Sequence, residues 1–323
     1  MSSYLDLDSR LTEKSVETGL DAYQVTRVRT SPGAGGTVTN NLASLGVGRI
    51  WALTLIGVDG DGLELKRELA SRGVDLAHVI ETPDRRTPTY TKPMLSDARA
   101  PARELNRLDI KNRTPMPAML VRELARRLDQ VVAQADAVIV ADQVSEPECG
   151  VMTLAMRERL AELGQRYPSK IIVADSRERI GLYRNVITKP NRTECLREVA
   201  NVPGAAGSSD ESPEASAARL LASRTGQPVY CTIGQSGMLY ADPSRTVYVP
   251  AYAVHGPIDM VGAGDSATAG LVCALCAGAD PIEAAALGNL VASITIQQLG
   301  TTGTATPEQV IARWQELLAK EST

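Results

Sequence analysis

Short apolar runs separated by longer helical stretches set the rhythm of the middle of this chain. Val138-Ile139-Val140-Ala141, Ile171-Ile172-Val173-Ala174 and Val229-Tyr230-Cys231-Thr232-Ile233 are runs of strand length, with helical patterns such as Met152 to Gln165 and Pro213 to Arg224 between them. A strand that is apolar on both faces belongs in a sheet covered on both sides. The pattern therefore predicts an α/β fold with a central, mostly parallel sheet and helices on both faces. Loops that carry chemistry should lie at the carboxyl ends of its strands. Three other segments, Tyr23 to Arg29, Thr87 to Met94 and Arg103 to Asp109, alternate polar and apolar side chains as half-exposed strands do. Asn201 to Asp210, rich in Gly, Ser and Ala, reads as a loop.

The 323 residues, 43% of them apolar, are ample for one large domain with a packed core. A net charge of −4, no Phe, two Trp and nine Tyr give neither the electrostatic footprint nor the stacking platform of a nucleic-acid binder. No apolar run approaches the ~18 residues of a membrane span, and the polar start is neither a signal nor a transit peptide, so a cytoplasmic protein is expected. Five cysteines, an odd number spread along the chain, suit reduced thiols. Cys273 and Cys276 are expected to pack into the core with Leu271 and Leu275, because no second cysteine pair or nearby histidine completes a metal site.

The most specific chemical signal is Asp259-Met260-Val261-Gly262-Ala263-Gly264-Asp265, followed by the proline-free run Ser266 to Leu275. A helix beginning near Gly264 would present amides without intrahelical acceptors beside two glycines, which is a pocket suited to phosphate oxygens. A carboxylate there is a poor anion ligand but a good acceptor for the proton of an attacking hydroxyl. An ordinary helix cap is the plainer reading of the same residues.

Five segments taken in order change that balance: Pro32-Gly33-Ala34-Gly35-Gly36 with Asn41 to Gly46; Leu55 to Gly62; Lys189-Pro190-Asn191-Arg192-Thr193-Glu194; Cys231 to Gly237; and Asp259 to Asp265. With these motifs, and with Gly288-Asn289 and Leu299-Gly300-Thr301 downstream, the chain resembles the ribokinase-like (PfkB) family of small-molecule kinases over nearly its whole length. Within that family it is similar to sugar-phosphate kinases of the heptose-phosphate type, on the strength of Thr91-Lys92 and Arg107-Leu108-Asp109.

The resemblance implies a single ribokinase-like domain over 1–323, an α/β core with a small β-sheet lid whose strands lie near 23–30, 87–95 and 103–110. It implies ATP-dependent transfer of the γ-phosphoryl group to a hydroxyl of a sugar or sugar phosphate, with Mg2+ accompanying ATP and a monovalent cation such as K+ as a further candidate. Asp265 becomes the general base, and Gly262, Ala263 and Gly264 the anion hole. Thr232, Gly234, Gly237 and Asn289 are assigned to the nucleotide, while Asn191 and Glu194 hold magnesium through water. The acceptor falls to Gly35, Gly36, Thr37, Asn41, Lys92, Arg107, Asp109 and Asp142, and the lid implies a homodimer.

Each assignment has a plainer counterpart. Asn191 and Glu194 at N-x-x-E spacing also make a helix start, Gly234 and Gly237 are ordinary turn glycines, and charges on lid strands also serve to solvate an edge. Thr37 stands where the family carries asparagine, which leaves the acceptor open, and a nucleoside or other small-alcohol kinase and a non-catalytic homologue remain rivals. The family also opens with a buried strand ending in an acidic residue. Tyr4-Leu5-Asp6-Leu7-Asp8 looks like the tail of that motif, with Asp6 and Asp8 as stand-ins for the acid. The natural chain is expected to start about 10 to 30 residues upstream of Met1.

Overall fold

The computed structural model describes residues 1–97, 100–200 and 212–321, so the expected loop from Asn201 to Asp210 lies outside the described residues. The chain begins with β1 (Ser2–Asp8), a two-residue ladder of β2 (Glu13–Lys14) and β3 (Asp21–Ala22), and β4 (Val25–Ser31). Then come α1 (Gly33–Ser44), β5 (Thr54–Gly57), α2 (Gly60–Ser71), β6 (Val79–Thr82), β7 (Thr89–Asp97), β8 (Ala100–Glu104) and β9 (Leu108–Ile110). The remainder alternates: α3 (Ala118–Gln134), β10 (Ala137–Asp142), α4 (Leu154–Arg166), β11 (Ile171–Ser176), β12 (Ile187–Thr188), α5 (Arg192–Val199), α6 (Pro213–Thr225) and β13 (Val229–Thr232). It closes with β14 (Gly237–Ala241), β15 (Thr246–Pro250), α7 (Ala263–Cys276), α8 (Pro281–Thr295) and α9 (Pro307–Glu321).

The main sheet runs β10-β11-β12-β13-β14-β15. Its first four strands are parallel and the last two antiparallel. Helices cover both faces because neighbouring side chains in each strand point opposite ways. Tyr230 packs with Leu271 and Ala284 of α7 and α8, whereas Val229 and Cys231 pack with Ala218 and Leu221 of α6. β5 and β6 form a separate parallel pair. A shared apolar cluster joins that pair to the main sheet, with Leu55 and Ile80 meeting Leu124, Leu128, Val140 and Met156. Leu124 is completely buried in it, and Leu124→Ala should cost about 2–5 kcal/mol of unfolding free energy by chemical denaturation.

The second sheet has the order β4-β1-β7-β8, with β9 also on β7. One of its inner strands is β1, antiparallel to β4 and parallel to β7. The segment read as the tail of a core strand is therefore part of the small sheet, with Leu7 buried and Leu5 only partly so. Asp6 pairs with Arg29 at 2.8 Å and Asp8 with Arg10 at 2.6 Å. Neither carboxylate lines the molecule's large cavity, so neither is placed to stand in for a buried acid.

Candidate active site

Strand ends and one helix start converge on a polar hollow of about 210 Å³, lined by Asp175, Arg177, Lys189, Asn191, Glu194, Thr232, Gly264 and Asp265 among others. β11 ends beside Asp175, β12 leads into Lys189, β13 ends at Thr232, and α7 begins one residue before Gly264. Gly262 caps α7 with φ of +83°, the left-handed region that glycine tolerates. Asp259 braces the turn, accepting from the Val261 amide at 3.0 Å and the Gly300 amide at 3.1 Å. The Ala263 amide donates to the Met260 carbonyl at 3.2 Å, so it is not a free donor as expected. The amides of Gly264 and Asp265 have no acceptor among the described residues, and they stand at the positive end of the α7 dipole.

Lys189 is the residue that sequence reasoning passed over. Its side chain is only 3% exposed, and its ammonium sits 2.9 Å from the Asp175 carboxylate. A Cβ placed on Gly264 would lie 3.7 Å from the same ammonium. A fixed positive charge thus faces the free amides of the α7 start. Burial alone would lower the Lys189 pKa, but the Asp175, Asp265 and Glu194 carboxylates outweigh it and raise it. The available signal was its place, directly before Pro190-Asn191 at a strand's carboxyl end.

Burial, reinforced by the nearby Asp175 charge and opposed by Lys189 and Arg177, pushes the Asp265 carboxyl up to about 7. A carboxylate of that pKa exchanges protons near neutral pH, which suits a general base. Burial, with Asp175 adding to it, also raises Glu194.

Asn191 and Glu194 form a reciprocal capping box on α5, at 2.8 and 2.9 Å. Both also line the polar hollow, so the structural role and an outward-facing one coexist. Among the described residues, no group of three His, Cys, Asp or Glu side chains could hold a metal ion by itself. The donor set fits magnesium, which keeps several waters and takes only one or two carboxylates beside phosphate oxygens.

The second part of the site is one end of a cavity of about 1120 Å³. Gly33 to Thr37, Tyr90, Lys92, Arg107 and Asp265 contribute to its lining. A Cβ on Gly35 would meet nothing within 4 Å, whereas one on Gly36 would strike the Pro32 ring at 2.2 Å. Gly35 therefore leaves open space, and Gly36 is required by packing. Thr37 is 2% exposed and donates to the Gly33 carbonyl. Arg107 lies over the Tyr90 ring at 4.4 Å, fixed by two bonds to Asp109 of 2.6 and 2.9 Å. Lys92 sits 5.4 Å from the Tyr4 ring centroid and 3.7 Å from Glu104.

Several expected ligands turn inward instead. Asp142 accepts from Ser176, Tyr183 and Arg179, which saturates its carboxylate inside the fold. The Asn41 amide donates to the Thr37 and Gly303 carbonyls, and that of Asn289 to the Val249 and Pro250 carbonyls. A Cβ on Gly237 would meet the Val249 carbonyl at 2.3 Å, which makes it a packing glycine. Gly234, with φ of +63°, faces open space, and Thr232 lines the polar hollow. Cys276 is exposed and Cys273 half-buried, both on the cavity wall, where core packing was expected.

A sequence profile for pfkB family carbohydrate kinases matches residues 7–309. The bifunctional protein HldE of Trichlorobacter lovleyi is 29% identical over 301 residues, 92% of this chain and 58% of that protein. The HldE of Citrifermentans bemidjiense is 28% identical over 300 residues, with the same coverage. The chain thus spans little more than half the length of these curated relatives. Among solved structures, a ribokinase from Thermotoga maritima superposes with a TM-score of 0.67 at 18% identity, covering 97% of this chain and 96% of its own. Phosphofructokinase-2 from Escherichia coli, in complex with fructose-6-phosphate, superposes with a TM-score of 0.69 at 19% identity, covering 98% of this chain and 97% of its own. No helix among the described residues is long and apolar enough to cross a membrane.

Proposed function

Because the chain belongs to the pfkB family of carbohydrate kinases, we propose that it transfers the γ-phosphoryl group of ATP to a hydroxyl of a sugar phosphate. The observation that carries this reading is the meeting of Asp265, at a pKa of about 7, with the free amides of Gly264 and Asp265 and the buried Lys189 ammonium. The acceptor hydroxyl lies in the cavity beside Asp265, which takes its proton as the bond to phosphorus forms. Negative charge growing on the transferred group is met by the two amides and by Lys189. Asn191 and Glu194 would hold Mg2+, which would supply charge neutralisation to the triphosphate. Thr232 borders the nucleotide side.

The small sheet acts as a lid that keeps water from competing as acceptor. Arg107, held flat on Tyr90 by Asp109, and Lys92 offer two cations to the phosphate of the acceptor, and a planar guanidinium suits that partner. Arg107→Ala should raise KM for a phosphorylated sugar at least about tenfold more than for its unphosphorylated parent. Equal effects on the two would return Arg107 to a solvated surface role. ATP consumption across a panel of sugars, sugar phosphates and nucleosides tests the whole reading. Turnover confined to nucleosides, or to none, would overturn it.

Asp265 must be ionised to act. Its raised pKa implies that kcat/KM climbs about tenfold per pH unit below neutrality and levels off above about 7. A pH–rate profile flat from pH 5 to 8 would remove Asp265 as the base. The open edge strand β4 exposes Val25 and Val28, and its pairing with a second copy gives a homodimer through the lid. Sedimentation at micromolar concentration should show twice the 34.4 kDa chain mass, and a strict monomer would refute the shared lid.

A further inference from the structure

The linings of the polar hollow and of the larger cavity share Ala34, Gln143, Arg177 and Asp265. These residues mark the junction where a group leaving the hollow enters the acceptor side. Two of them are ionisable. Asp265 is the base of the proposed transfer, so the other, Arg177, faces the same reacting atoms.

Arg177 is the first residue past β11, and its backbone is fixed. Its amide donates to the Asp142 carbonyl at 3.1 Å, and its carbonyl accepts from the Arg197 guanidinium. The side chain is exposed, and among the described residues it makes no ion pair or hydrogen bond. The adjacent acid, Glu178, is taken by Arg197 at 3.1 Å. The other cation of the hollow, Lys189, is paired with Asp175 at 2.9 Å. Arg177 is thus the cation in this lining that no carboxylate neutralises. Its charge nevertheless reaches Asp265, where it joins Lys189 in opposing the upward push of burial. Three carboxylates, Asp175, Glu194 and Asp265, line the same hollow, so a phosphoryl group arriving there needs an unspent cation beside it. A planar guanidinium bonds two of its oxygens at once.

Building on the kinase reading above, we propose that Arg177 is a second catalytic residue, whose guanidinium bonds the oxygens of the phosphoryl group as it passes from nucleotide to acceptor. The bond from phosphorus to the leaving oxygen breaks, the bond to the acceptor oxygen forms, and the hydroxyl proton goes to Asp265. Arg177 gains and loses no proton. A cation at the junction meets the equatorial oxygens best in mid-transfer, so its effect falls on the transition state.

The side chain leaves no partner behind when it is removed. Arg177→Ala should therefore move Tm by less than about 2 °C while lowering kcat about 10²-fold or more. KM for ATP should change little, and Arg177→Lys, which keeps the charge without the fork, should recover part of the loss. Rates are compared on the plateau of each pH–rate profile, where Asp265 is ionised and a shift in its pKa does not enter.

Binding supplies a readout that needs no turnover. MgADP is titrated with and without fluoroaluminate, an anion that stands for the phosphoryl group in flight. The parent should bind the pair more tightly than MgADP alone. Arg177→Ala should lose about tenfold or more of that gain while binding MgADP as the parent does. A parental plateau kcat in Arg177→Ala, or a lowered kcat with the fluoroaluminate gain intact, would overturn the proposal. So would a parent that gains nothing from fluoroaluminate. A gain present in the parent and lost in the variant, without turnover of any sugar phosphate, would support Arg177 and count against the acceptor reading alone.

Discussion

Asp265→Asn is expected to lower kcat by about 10²- to 10⁴-fold while leaving nucleotide affinity nearly unchanged. The amide keeps the shape and bulk of the carboxylate, so the start of α7 and the Gly264 amide remain in place. What disappears is the ability to take the hydroxyl proton. A second effect runs the other way. The folded-state pKa of about 7 lies above the ordinary carboxyl value of 3.8, so between these values the folded protein binds the proton more tightly than the unfolded chain. The contribution of Asp265 to stability is thus fully present below pH 3.8, declines as pH rises to about 7, and stays at its least favourable above. The substituted amide does not titrate and carries no such dependence, so at pH 8 the variant should melt at a higher temperature than the parent. Calorimetry at pH 5 and pH 8 together with initial rates checks both halves. Near-normal turnover, or a Tm difference that does not grow with pH, would sink the assignment.

Lys189→Met should impair both folding and catalysis. The parent ammonium is 3% exposed, and the variant leaves the Asp175 carboxylate 2.9 Å away without its counter-ion. Breaking a buried pair from one side typically costs about 3–5 kcal/mol, and the lower end applies here because Asp175 keeps 16% exposure. Lys189 also restrains the upward shift of Asp265. Its removal should move the rise of kcat/KM to higher pH as well as lower the plateau, since a cation facing the transferred phosphoryl group is gone. Lys189→Arg, which restores charge with a longer reach, should recover more stability than activity. A variant with parental stability and an unshifted pH profile would show that the Lys189–Asp175 pair is an inert ion pair.

Local pattern was sufficient for much of this molecule. Continuous apolar runs marked β10, β11 and β13 because a strand buried on both faces has no polar position to spare, and alternation marked β4, β7 and the β8–β9 region, which lie outside the main sheet. The Gly262-Ala263-Gly264-Asp265 turn identified the start of α7, since its glycine cap and the helical run after it are properties of adjacent residues. The same is true of Asn191 and Glu194, whose spacing already contained the capping box. Residue types far apart in sequence were harder to place. Nothing local distinguishes the inward amides of Asn41 and Asn289 from ligand-binding ones; their acceptors, Gly303 and Val249, come from other elements. Asp142 ended a core strand as a substrate ligand would, yet Arg179 and Tyr183 claim it. Lys189 became the central cation of the polar hollow only through Asp175 on the neighbouring strand and Gly264 on α7. The sequence by itself determined which segments are strands and helices and where the glycine-capped turn that starts α7 lies, because hydrophobic period and turn chemistry act between neighbours. The tertiary structure alone decided which carboxylate is desolvated enough to titrate near pH 7 and which amides are spent on the fold. Burial and charge coupling depend on distances that only the packed chain sets.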